Sequence, residues 1–202
     1  MGGNGPKVGS ARAARSEVPD VTFTAASTAS TFTARQFRDA LGLFPTGIAV
    51  VTAADDDGTV GGLTVNSFTS VSLDPPLILV ALARSVTSYA LFERAPHFAV
   101  SLLREDQRHV SAAFAKSDIA KWQGGHHRSG NLAPIIHPNL CAFECESYAR
   151  YDGGDHRLLV GRVISIDVPH HEVPRPLLYF RGQYRELSDE NIDPLHFQLE
   201  GW

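Results

Sequence analysis

Gly62-Leu-Thr-Val-Asn-Ser-Phe-Thr-Ser-Val-Ser-Leu-Asp-Pro-Pro76 decides how this chain is read. It carries five hydroxyl side chains and one Asn in a segment of strand-like composition, and a double proline ends it. A strand with one solvated face alternates polar with apolar residues. Thr64, Asn66, Ser67, Thr69, Ser70 and Ser72 exceed that alternation. A surface dense in short neutral hydrogen-bonding groups suits a polar, planar, phosphate-bearing ligand held without fixed charge. The bland alternative is a barrel strand whose hydroxyls satisfy cross-strand partners.

Strand patterns extend on both sides. Gly47 to Thr52 and Thr59 to Phe68 read as strands joined by Asp55-Asp-Asp-Gly58, a hairpin turn with Gly for the positive dihedral. Leu77 to Ala83 is a continuous apolar run of strand length. Ser85 to Arg94 reads as a helix ended by Pro96, His97 to Leu103 as a strand, and Asp106 to Ala115 as a short helix capped by Asp106. Lys116 to Pro138 is loop-like. Two long strands, Leu140 to Tyr151 and His156 to Val168, flank Asp152-Gly-Gly-Asp155, and Leu177 to Arg185 is the last strand. Upstream, Thr33-Ala-Arg-Gln36 is a capping box flanked by Phe32 and Phe37, and Gly42 can close that helix. The expected class is mainly β with short helices, an antiparallel barrel rather than a βαβ sheet.

With 202 residues the chain holds one domain with a sizeable core. Residues 1–30 are rich in Gly, Ala, Ser and Thr and read as a disordered extension, 31–187 as the domain, and 188–202 as a tail. A net charge of −4 gives no basic footprint, which argues against nucleic acid. No apolar stretch reaches spanning length, so no membrane is expected. Two cysteines make no disulfide framework. A soluble cytoplasmic protein is the expectation.

No Gly-x-Gly-x-x-Gly opens a helix after a strand, no P-loop is present, and no triad or paired carboxylates stand out. His126, His127, His137, Cys141 and Cys145 offer zinc-capable atoms, but their spacing fits no ribbon or finger, and no metal is expected.

Five stretches, in order, carry a resemblance: Phe44-Pro-Thr-Gly-Ile-Ala-Val-Val-Thr52, the Gly62–Pro76 segment, Leu77-Ile-Leu-Val-Ala-Leu-Ala-Arg-Ser85, Phe98-Ala-Val-Ser-Leu-Leu103, and Tyr151-Asp-Gly-Gly-Asp-His156 through Tyr179-Phe-Arg-Gly-Gln-Tyr184. Together they resemble the flavin reductase-like proteins, short-chain NAD(P)H:flavin oxidoreductases that feed reduced flavin to two-component monooxygenases. The likeness runs from about Phe37 to about Leu187. Two departures stand out: Ser101 where relatives often have Asn, and a Trp122–Arg128 loop without the usual Gly-x-Pro turn.

The resemblance implies an FMN-binding split barrel, FMN or FAD and NADH or NADPH as cofactors, a homodimer, and a flavin-dependent monooxygenase reached by diffusible reduced flavin. It implies that Thr64, Val65, Asn66 and Ser67 hold the isoalloxazine edge and ribityl chain, and that Ser70, Val71 and Ser72 face the ribityl and phosphate region. Arg84 is then a phosphate clamp beside a helix N-terminus at Ser85, with Thr87 and Ser88 extending the cup. Thr46 reaches the same ligand. His156 is the catalytic candidate on the nicotinamide side, with Tyr179 and Arg181 near it. Each has an ordinary alternative: a solvated Arg84, a Thr46 in a simple turn, a structural His156 and a packing Tyr179. The missing triad agrees with hydride chemistry, because the cofactors hold the reactive atoms. Two other functions stay open, a stand-alone flavoenzyme with tightly held flavin and a non-catalytic flavin-binding protein.

Overall fold

Thr33 stands immediately before helix α1 (Ala34–Leu41) in the computed structural model, which describes residues 30–117, 119–169 and 175–187. Residues 1–29 of the expected extension and the expected 188–202 tail lie outside the described residues. A bond from the Gly42 N–H to the Arg38 carbonyl (2.9 Å) closes α1 at the expected glycine.

The strands follow as β1 (Thr46–Gly47), β2 (Ala49–Ala54), β3 (Val60–Val65), β4 (Thr69–Leu73) and β5 (Pro76–Ala83). Helix α2 (Tyr89–Arg94) leads to β6 (His97–Leu102), and a 3-10 turn (Glu105–Gln107) leads to α3 (Arg108–Phe114). The next segment holds a 3-10 turn (Ile119–Trp122) and the short pair β7 (His127–Arg128) and β8 (Ile135–Ile136). The chain then runs through β9 (Cys141–Gly153), β10 (His156–Asp167), β11 (Leu178–Phe180) and β12 (Gln183–Arg185).

Seven strands form one antiparallel sheet in the order β3-β2-β6-β9-β10-β5-β4. The sheet curls so that β3 comes back against β5 without pairing to it, which leaves the barrel open at that seam. This is the split barrel. β1, β11 and β12 make a separate three-stranded sheet.

β2 is apolar on both faces, and both are buried. Val51 joins Val80, Phe98, Val100 and Leu159 in the barrel core, while Val50 joins Ile48, Val110, Phe114 and Leu177 in a second core that includes α3. Gly61 and Gly62 in β3 allow close approach: an added Cβ would lie 2.6 Å from Leu91 Cδ2 or 3.1 Å from the Phe114 ring. Among the described residues no helix is long and apolar enough to cross a membrane.

Four boundaries differ from expectation. The strand expected over 59–68 ends at Val65, and Thr69–Leu73 is a separate strand pairing with β5. Ser67 sits where a continued ladder would face Ala81. Its hydroxyl instead accepts the Ala81 N–H and donates to the Ala81 carbonyl, each at 3.0 Å. A side chain thus substitutes for the backbone ladder. The helix expected from Ser85 begins only at Tyr89, because tight turns (Val86 N–H to Ala83 O, Tyr89 N–H to Val86 O) carry the β-branched Val86 and Thr87. Asp106 lies inside the 3-10 turn and pairs with Arg104 (3.1 Å) rather than capping α3. The last strand is a hairpin turned at Arg181 and Gly182, whose φ values are 50° and 77°.

Candidate functional site

Two clefts flank β3. The smaller, about 230 Å³, joins Ile48, Thr64, Val65 and Asn66 to Ser111 of α3 and to Tyr179 and Tyr184 of the small sheet. Its walls are braced. Thr64 Oγ1 donates to the Ser111 carbonyl (2.7 Å), the Ser111 and Tyr184 hydroxyls lie 3.0 Å apart, and the Tyr179 and Tyr184 rings meet edge to face at 5.9 Å. Asn66 is exposed at the rim. β1 pairs Thr46 with Tyr179, and the buried Thr46 Oγ1 has no hydrogen-bond partner within the described chain.

The larger cleft, about 330 Å³, lies on the other side of Gly61 and Gly62. Thr87, Ser88 and Ser117 contribute hydroxyls, and Arg94, Lys116 and Lys121 contribute positive charge; among the described residues no acidic side chain lines it. Arg94 is bound to Asp55 (2.6 Å). Lys121 Nζ donates to the Gly62 carbonyl (2.7 Å) and sits 5.5 Å over the Phe114 ring, so Lys121 is tied to β3. Phe114 and Trp122 meet edge to face at 5.2 Å beside it. Ala115 borders both clefts.

A third group gathers at the β9–β10 hairpin tip. Gly154 takes φ 75°, and its N–H donates to Asp152 Oδ1 (3.0 Å). That bond, with the Arg84 guanidinium, holds the Asp152 carboxyl below the usual carboxylate range. His156 opens β10 opposite Ala83, with Nδ1 2.7 Å from Asp155 Oδ1. The hydrogen bond and charge of His156 likewise lower the Asp155 carboxyl. Nδ1 is thus engaged with Asp155.

The structure therefore brings together Thr64, Val65, Asn66 and Tyr179 around one cleft and places Ser88 at the other. Ser67 is near them in sequence, but its hydroxyl bonds Ala81. Ser70, Val71 and Ser72 lie on edge strand β4, where a bulge falls between Ser70 and Ser72. Ser85 is exposed and starts no helix. Arg84 and His156 share the hairpin tip. Arg181 stands at the β11–β12 turn, its N–H bound to the Gly42 carbonyl (2.9 Å).

Sequence reading missed Lys116, Lys121, Ser111 and Tyr184. Lys116 and Lys121 fall in a stretch without periodicity, where only the tertiary fold brings them to β3. Cys145 of the zinc-capable set is buried in the barrel core, where burial and then Glu144 push its thiol up to about 12.

The chain is similar to known proteins in sequence and in fold. The flavin-dependent monooxygenase reductase subunit HsaB of Mycobacterium tuberculosis is 38% identical over 165 residues, 81% of this chain and 88% of that protein. The FMN reductase (NADH) SmoA of Agrobacterium fabrum is 40% identical over 154 residues, 76% of this chain and 86% of that one. The crystal structure of nitrilotriacetate monooxygenase component B from Mycobacterium thermoresistibile superposes with a TM-score of 0.77 at 34% identity, covering 82% of this chain and 93% of its own. The family model described as "Flavin reductase like domain" matches residues 41–188, which span the barrel and both clefts, and the chain belongs to that family.

Proposed function

We propose that this chain is an NADH:flavin oxidoreductase that reduces FMN or FAD for a separate flavin-dependent monooxygenase. The observation that carries the reading is the pair of clefts meeting at Ala115, one walled by tyrosines and amide groups, the other cationic and hydroxyl-rich. A flavin has those two ends, a planar polar ring system and an anionic phosphate tail.

In this reading Asn66, the orphaned Thr46 hydroxyl and the backbone at Val65 hold the ring edge. Thr87, Ser88, Lys116 and Lys121 hold the phosphate. The bound flavin supplies the hydride acceptor, N5. His156, with Nδ1 fixed on Asp155, presents Nε2 to the carboxamide or phosphates of the nicotinamide nucleotide. The protein's work is to bind, to orient and to exclude water. NADH as donor follows the activity for which SmoA is named, and the monooxygenase partner that for which HsaB is named.

The same reading makes the protein a cytoplasmic homodimer. Ile164 and Ile166 lie at alternate positions of β10 and are exposed, as are Val168 just beyond its end and Val71 and Leu73 of β4. Exposed apolar side chains of this kind suit a second copy.

Mixing the protein anaerobically with FMN and NADH tests the reading. Bleaching of the flavin on the timescale of turnover is the expected result; flavin that binds and stays oxidised would refute it.

A further inference from the structure

Arg84 has more to do in this fold than meet an anion. Its backbone N–H donates to the Asp155 carbonyl (3.0 Å), one step beyond the β5–β10 ladder that ends at Ala83 and His156. Its side chain then folds over the hairpin tip. Nε donates to the Gly154 carbonyl (3.1 Å), Nη2 lies 3.2 Å from Asp152 Oδ1, and Nη1 donates to the Tyr89 hydroxyl (2.9 Å) at the first residue of α2. All three nitrogens of one guanidinium are engaged, two with the hairpin tip and one with the start of α2.

The geometry points to Arg84 as a positioning residue: it straps the Asp152–Asp155 turn to the end of β5 and the start of α2, and so fixes where His156 presents its ring. The inference rests on the reductase reading for what His156 meets, and on the bonds above for the strap itself.

The physical case has three parts. A two-residue tip, Gly154 and Asp155, entered from Gly153 at the end of β9, has little intrinsic stiffness, since glycine restricts the backbone least. The Arg84–Asp152 ion pair is too exposed to stabilise the tip by charge attraction alone. A planar fork that meets a carbonyl, a carboxylate and a hydroxyl at once adds directional restraint that a point charge cannot supply. His156 follows Asp155 directly, so the turn's freedom passes to the ring through one peptide.

This use of Arg84 differs from the phosphate clamp that its place at the end of the apolar strand suggests, and the two predict different losses. Arg84→Ala and Arg84→Lys would be compared with the wild type by amide hydrogen exchange at Gly154 and His156, and by KM for NADH and for flavin. For Arg84→Ala we expect exchange at both amides to quicken about tenfold. The KM for NADH should rise about fivefold while the KM for flavin holds. Arg84→Lys should restore part of each effect through Asp152 alone. Unchanged exchange would overturn the strap. Faster exchange with both KM values unchanged would overturn the positioning role, and a rise confined to the flavin KM would return Arg84 to the phosphate. A wild-type protein that oxidises no NADH would remove the reductase reading, and the exchange result would still decide the strap.

Discussion

The Ser67 hydroxyl bonds both backbone groups of Ala81, accepting its N–H and donating to its carbonyl at 3.0 Å each. This pair of bonds joins β5 to the segment between β3 and β4, at the place where the two strands have parted. It separates two neighbours that sequence reading treats alike. Asn66 is exposed at the cleft rim and free to meet a ligand; Ser67 is occupied by the fold.

Two alanine substitutions should therefore diverge. Asn66→Ala should weaken flavin binding by about 1 kcal/mol with little change in thermal stability. Ser67→Ala leaves two half-buried backbone groups of Ala81 without partners and should lower stability by about 1–3 kcal/mol, with the smaller effect on flavin. Fluorescence titration and thermal melts of both variants measure this. Equal loss of flavin affinity with equal stability would contradict the assignment.

The cationic cleft makes a prediction about the flavin's phosphate. Lys116→Ala should weaken FMN binding by up to about 1 kcal/mol and leave riboflavin, which has no phosphate, unaffected. The FMN effect should shrink as ionic strength rises. Parallel titrations with the two flavins at two salt concentrations test it. Equal losses for FMN and riboflavin would move the phosphate elsewhere.

Glu93 of α2 and Arg157 of β10 form a two-pronged pair at 2.9 and 3.1 Å, each side chain less than a third exposed. Burial alone would raise the Glu93 carboxyl, but the hydrogen bond and charge of Arg157 outweigh it and hold the carboxyl below its ordinary 4.5. A carboxyl depressed by folding adds stability above its unfolded value, and that stability is lost as pH falls through the lower folded value. Glu93→Gln should thus be less stable than the wild type at about pH 7, and the difference should close toward about pH 3. Urea melts across that range would show it. A difference that persists unchanged into acid would contradict the pairing.

Gly161 faces the core from β10, where an added Cβ would lie 2.8 Å from Cys145 Cβ and closer still to the Phe98 ring. Both neighbours are fully buried and cannot yield. Gly161→Ala should cost about 1–3 kcal/mol of stability by overpacking, read as a lowered midpoint in a denaturant melt. A midpoint equal to the wild type would show that the core there is loose.

Much of this was legible in the residues. The apolar runs in β2 and β5 and the length of the β9–β10 hairpin gave an antiparallel barrel, and Thr64, Val65, Asn66 and Tyr179 do gather at one cleft. Other features were not. The end of β3 depends on a Ser67 hydroxyl reaching Ala81, a contact that local pattern does not encode. Lys116 and Lys121 acquire meaning only when α3 carries them against β3. Arg84 reads as a free cation until the hairpin tip, seventy residues on, folds over it.

The most direct test of the account is NADH oxidation, followed by loss of nicotinamide absorbance, with FMN, with FAD and with no flavin added. Oxidation that begins only when flavin is supplied is the predicted result, and the faster flavin would identify the substrate. No oxidation with either flavin, at concentrations where binding is measured, would contradict the reductase function.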